Sequence, residues 1–153
     1  MKILVLTLIL FPMLSFANPH SDSKVSLLKE YARYITTLNV NNVTDMGPSF
    51  LSEDALKETD FSNDFEISGL LFHREIQKTV SVFERIEYEK GYGCLTVNGF
   101  VDQNKPISMF FQYTQLDSPK INEIRLEYLE ESVAHPHYAK CPHEAEQDFF
   151  ESK

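Results

Sequence analysis

The sequence predicts an α+β fold: N-terminal helices packed on a curved antiparallel sheet of four or more strands. Two observations carry the class. Between residues 80 and 131 apolar side chains recur at every second position in four runs, and turn-forming residues separate the runs. Before residue 80 they recur instead at three- and four-residue steps, the spacing of one helix face. A third observation concerns place. The chain opens on an apolar leader-like run and carries only two cysteines, Cys94 and Cys141.

Residues 1–17 hold Lys2, an apolar run from Ile3 to Leu14, and the small residues Ser15 and Ala17 around Phe16. This is the pattern of a secretory signal peptide cleaved after Ala17, and the run is too short for a spanning helix. No cysteine near the cleavage point offers a lipid attachment. The expected location is secreted or periplasmic, with no membrane association once the leader is removed.

Residues 18–23 are polar, and Ser21, Asp22 or Ser23 offers an N-cap for the helix expected next. In that helix Val25, Leu28, Tyr31 or Ala32, Ile35 and Leu38 form an apolar stripe, while Lys24, Lys29, Glu30 and Arg33 take the other surface. Asn39, Asn41 and Asn42 end it, because asparagine tolerates a left-handed turn. Asn42, Val43 and Thr44 also spell a glycosylation sequon, relevant only in a eukaryotic secretory pathway. Ser52 is placed to cap a short helix from Glu53 to Lys57. After a polar link over residues 58–64, helical spacing of Leu70, Leu71, Phe72 and Ile76 predicts a third helix over residues 67–79.

The four strand runs follow. Val80, Val82, Ile86 and Tyr88 share one parity against Arg85, Glu87 and Glu89, with Phe83 out of pattern. Leu95, Val97 and Val101 oppose Tyr92, Cys94, Thr96 and Phe100, so both faces of the second run are expected to be partly covered. Ile107, Met109, Phe111 and Tyr113 oppose Ser108, Gln112 and Thr114, with Phe110 the exception. Ile124, Leu126 and Tyr128 oppose Glu123, Arg125 and Glu127. Gly91 with Gly93, then Asp102, Gln103, Asn104, Lys105 and Pro106, then Asp117, Ser118, Pro119 and Lys120 read as hairpin turns. Residues 132–153, with Pro136 and Pro142 and many charges, read as an irregular tail with a frayed end. The expected organisation is a leader at 1–17, one domain at 18–131 and a tail at 132–153.

Charge excludes some functions. The chain has 14 basic and 23 acidic residues, a net of −9, and loss of Lys2 with the leader makes the mature chain one unit more acidic. Phosphate backbones and anionic lipid need a basic footprint, so neither nucleic acid nor a membrane is an expected partner, and a cationic one is favoured. In an exported protein an even cysteine pair reads as a disulfide, here one tying the tail to the second strand.

The residues at 28–38, followed by Phe50, Leu51, Ser52, Glu53, Asp54 and Ala55, resemble the first helix and "phe-leu-ser-x-asp-ala" beginning of the nuclear transport factor 2-like superfamily. The resemblance covers most of the mature chain and is topological. It implies a sheet bent around the helices into a cone with an internal pocket. A cystatin-like sheet wrapped on one helix is the competing arrangement in the same class. The superfamily hosts isomerases, dehydratases, scaffolds and binding modules, so function has to be read from a site.

Three sites suggest themselves. Tyr31 or Tyr34, His73, Met109, Phe111 and Tyr113 are placed to line an apolar cone interior, with ordinary core packing as the competing account. The resemblance to isomerases and dehydratases implies a carboxylate beside a tyrosine or histidine, which Asp45 or Asp54 with Tyr31, Tyr34 or His73 would supply. In the tail, His135, His137 and His143 lie near Cys141, a weak metal set that lacks regular finger spacing and would lose the thiolate to a disulfide. The reading that follows is an exported binding protein without catalytic activity or cofactor. It takes a small apolar ligand in the cone or a protein partner such as a basic toxin, in an oligomeric state the sequence does not give, a dimer being one option. A proton-shuttling isomerase or dehydratase is the alternative.

Overall fold

The structure, a computed structural model, describes residues 25–102 and 105–151. The expected leader at 1–17, the polar residues before Val25 and the expected turn residues Gln103 and Asn104 lie outside that set. The fold is α+β: a four-stranded antiparallel open sheet in the order β1-β2-β3-β4 with helices packed on it. Its strands are β1 (Lys78–Glu87), β2 (Tyr92–Phe100), β3 (Pro106–Thr114) and β4 (Lys120–Tyr128). Each contains most of its alternating run, because a half-covered sheet imposes a period of two, but Pro106 and Lys120, read as turn residues, open β3 and β4, and Val101 falls beyond β2.

The first helix, α1 (Leu27–Thr37), starts later than expected. Its N-cap is Ser26, whose hydroxyl accepts from the Lys29 N–H, and the next orphan amide, Leu28 N–H, donates to Glu84 of β1. The buried stripe is rotated from the expected one. Leu27, Tyr31, Tyr34 and Leu38 face the sheet, whereas Leu28 is 47% exposed and Ala32 faces outward. Both stripes satisfy helical spacing. The sheet selects the one carrying the tyrosines, since each large side chain so buried contributes on the order of 2 kcal/mol. The asparagines end the helix by side-chain bonds rather than a left-handed turn: Asn42 Nδ2 donates to the Thr37 carbonyl and its Oδ1 accepts from Asn39 N–H. Among described non-glycine residues only Gln115, between β3 and β4, has positive φ.

Helix α2 (Val43–Met46) runs into a 3-10 turn at Gly47–Phe50. Helix α3 (Glu53–Glu58) is capped by Ser52 as expected, its hydroxyl accepting from Ala55 N–H. Leu51 and Ser52 also touch the edge of β4: Leu51 bridges Ile121, and Ser52 N–H donates to the Ile121 carbonyl at 2.8 Å. The single third helix is not formed. In its place stand α4 (Asp64–Gly69), capped by Asn63, and a 3-10 turn at Phe72–Glu75 that carries His73. The break comes at Gly69, whose lack of side chain weakens a helix interior.

Two faces of the sheet are covered by different parts of the chain. On the inner face Val82, Val97, Met109 and Leu126 form one rung and Leu95, Phe111 and Ile124 the next, packed against the helices. Val80 leaves this face because a bulge between Thr79 and Ser81 takes it out of register, and Tyr88 lies in the turn beyond β1. Gly93 is not in that turn either; it pairs within β2, beneath Leu27. On the outer face Arg85, Cys94, Gln112 and Glu123 form one rung, Phe83, Thr96, Phe110 and Arg125 the next, and Ser81, Asn98, Ser108 and Glu127 a third. The tail covers that face, which explains why Phe83 and Phe110 interrupt the alternation.

The tail is not irregular to its end. After Cys141 comes α5 (Pro142–Glu151). Proline at the first helical position is pre-shaped for a helix and lacks an N–H that would be orphaned there. The Glu144 carboxylate turns back to accept from Cys141 N–H at 2.7 Å, the glutamate half of a capping box. Cys141 is joined by a disulfide to Cys94 of β2, with Cα atoms 5.0 Å apart. Among the described residues no helix is long and apolar enough to cross a membrane.

Candidate functional site

The six residues expected to line a cone interior are brought together, and they pack on one another. Tyr31 meets Phe111 edge to face with ring centres 5.3 Å apart, Tyr34 meets His73 at 5.1 Å and Phe50 at 5.5 Å, and Phe111 stacks on Tyr113. Tyr34, Met109, Phe111 and Tyr113 are buried, and the Tyr34 hydroxyl donates to the Leu70 carbonyl. Burial pushes the Tyr31 hydroxyl up to about 12 and raises those of Tyr34 and Tyr113 as well, so all three are neutral at any physiological pH. Burial holds the His73 imidazole below its ordinary range, against the Leu70 carbonyl, which favours the cation. The Tyr113 hydroxyl is buried with no hydrogen-bond partner among the described residues. The two pockets described below are lined by none of the six.

An acid–base pair is not assembled around them. Asp54 sits on exposed α3 in an ion pair with Lys57, and Asp45 faces outward from α2. Among the described residues no carboxylate hydrogen-bonds to Tyr31, Tyr34, Tyr113 or His73. Glu30, whose charge reaches Tyr113, is engaged with Arg33 at 2.8 Å. A general base has to stand within hydrogen-bond reach of the proton it moves, and neither candidate aspartate meets that condition with the core tyrosines.

The tail histidines are likewise not assembled as ligands. His135 Nε2 lies 3.0 Å from the Gly99 carbonyl, while His137 and His143 are exposed. Among the described residues no three His, Cys, Asp or Glu side chains are gathered as a metal set.

Among the described residues, two open pockets lie outside the aromatic cluster. One, of about 430 Å³, is bordered by Arg74, Glu75, Gln77, Val101, Asp102, Lys105 and Tyr128. Its opposite charges are interleaved, and Gln77 already donates to Asp102. The other, a groove of about 380 Å³, lies between the outer face of β3 and β4 and the tail. Phe110, only 1% exposed, is the most buried of its lining residues, and Leu129, Val133, Ala134, Pro136 and Ala145 are its other aliphatic contacts. The lining also holds the carboxylates of Glu127, Glu130 and Asp148 against one ammonium, Lys140. Asp148 pairs with Lys140 and Glu127 with Arg125, which leaves Glu130 and its exposed neighbour Glu131 facing solvent. Burial alone would lower the Lys140 ammonium, but its pairing with Asp148 raises it above the ordinary lysine value. Tyr128 and Tyr138 are each 59% exposed and Val133 is 47% exposed along this side.

An apolar lining with a few polar groups is the composition of a recognition site, and exposed tyrosines are common where partners dock. None of the groove residues was singled out from sequence as a binder. The one signal was Phe110, a large apolar side chain on the wrong parity. No family model, curated protein or solved structure matches this chain.

Proposed function

We propose that this chain is an exported binding protein without catalytic activity, and that it docks a basic protein partner in the groove between the outer sheet face and the tail. The observation that carries the reading is the groove itself: a lining of apolar side chains around Phe110 in which three carboxylates meet one ammonium. In the aromatic interior, by contrast, the rings pack on one another. The overall acidity of the chain acts in the same direction, steering a cationic partner toward it. Neutralising a basic toxin, as an inhibitor or immunity protein does, is a role of this kind. Export rests on the leader at residues 1–17 and agrees with the disulfide. Kinship with the nuclear transport factor 2-like superfamily is part of the same proposal, supported by the order of helices before four antiparallel strands.

The test is native mass spectrometry of the protein purified from its own secretory compartment. The expected species is the mature chain plus a polypeptide, dissociating as salt is raised toward 1 M, where the screening length falls to about 3 Å. Glu130→Lys in the lining lowers the bound fraction roughly tenfold at low salt. A retained small molecule in place of a polypeptide, or a complex indifferent to both salt and Glu130→Lys, overturns the reading.

A further inference from the structure

The tail crosses the outer face of the sheet as an occupant of it. The apolar core between the helices and the inner face contains no residue beyond Leu126. Under the tail the sheet presents Thr96, Asn98 and Ser108, all without solvent exposure, where a permanently sealed interface favours apolar side chains. Each is satisfied. Asn98 Nδ2 donates to the Pro136 carbonyl at 2.8 Å, Lys140 N–H donates to Thr96 Oγ1 at 2.9 Å, and Ser108 Oγ donates to Asn98 Oδ1 at 2.8 Å. Water can replace the bonds to the tail if it lifts, so most of this face tolerates exposure, with Phe110 the main apolar group it would uncover.

At the far end the attachment is concentrated on one rung. Cys94 is bonded to Cys141, and Arg85 beside them donates to the Ala139 carbonyl and to both Glu144 oxygens at 2.8 Å. We infer that residues 132–151 form a strap separable from the sheet, that the Cys94–Cys141 bond is what holds it, and that opening the bond releases the strap while the helix-covered face stays folded. Release also dismantles the groove, because Val133, Ala134, Pro136, Lys140, Ala145 and Asp148 all belong to the strap. That the strap governs partner binding rests on the function proposed above; its release does not.

The opening reaction is exchange with a dithiol reductant. Cys141 is the better leaving group, since its sulfur lies 3.8 Å from Arg85 Nη2 and at the start of α5, although Glu144 offsets part of that charge. A reductant thiolate therefore attacks the Cys94 sulfur and expels the Cys141 thiolate. The reductant's second thiolate then closes its own disulfide and frees Cys94. Two electrons and two protons pass from the dithiol to the two cysteines. Both sulfurs are buried, so the attack follows a local opening of the strap.

Hydrogen exchange read by mass spectrometry tests this on the full mature chain, oxidised, after dithiothreitol, and as Cys94→Ala/Cys141→Ala. The expected result is that amides of residues 132–151 exchange at least about tenfold faster in the reduced and the double-variant proteins, while β2, β3 and α1 keep their protection. Unchanged protection of the strap overturns the inference, because the bond would not be what holds it. Loss of protection in strap and core together, in reduced and variant protein alike, overturns it as well. Partner binding is measured separately, so a released strap with unaltered binding removes only the link to the groove.

Discussion

Tyr31, Tyr34 and Tyr113 keep their protons far above the pH at which a free tyrosine loses one, because burial penalises the phenolate. In the unfolded chain each ionises near 10, and in the folded chain Tyr31 does so at about 12 while burial raises the other two as well. Their contribution to stability is therefore complete below pH 10 and is lost as pH rises, since above that value the unfolded state releases protons the folded state retains. The expected outcome is a steep fall in the urea midpoint between pH 10 and 12, at about 1.4 kcal/mol per pH unit for each tyrosine involved. Tyr31→Phe reduces that slope, and a midpoint flat across the range contradicts the assignment. Sequence spacing placed these rings on one side of the protein correctly. What spacing cannot report is whether the space among them is filled, because that depends on the volumes of Phe50, Phe111 and their neighbours meeting from separate elements.

The elements differ in how far their own residues specify them. The strands were legible because their period of two survives any packing, and α3 because Ser52 and its acidic first turn are local signals. The stripe of α1 was ambiguous between two helical registers, and only contact with the sheet decides for Leu27 over Leu28. Helix α5 was hidden by the habit of reading proline and charge as disorder, although Pro142 followed two residues later by Glu144 is a start signal. The groove was hidden for a related reason: its roof is the tail. Pairing of β1 with β2 also sets a sharp local constraint. A Cβ at Gly99 would stand 2.5 Å from the Lys78 carbonyl oxygen and 2.5 Å from Ile76 Cγ2, beside the bulge at Val80. Gly99→Ala is expected to lower stability by roughly 1–3 kcal/mol, measured by urea denaturation followed by circular dichroism, as overpacking against backbone has little room to relax. A change within about 0.5 kcal/mol would show that β1 shifts freely there.

At the scale of the molecule, two faces of one sheet have different covers: helices packed by shape on the inside, and a hydrogen-bonded strap secured by one covalent tie on the outside. For a 47-residue separation, closing the loop between Cys94 and Cys141 contributes about 4 kcal/mol in the chain-entropy account if strap and sheet unfold together. A separable strap changes the expectation. In Cys94→Ala/Cys141→Ala the free energy of the main transition then falls by clearly less than about 4 kcal/mol, and an earlier, smaller transition appears. Tyrosine fluorescence and circular dichroism can report both, as the chain has no tryptophan. The cross-link also decides how the molecule bears tension. A pull on the C-terminus reaches the interior strand β2 through sulfur and bypasses β3 and β4, so the segment between the two cysteines, roughly 160 Å when drawn out, adds nothing to the extensible length while the bond is intact.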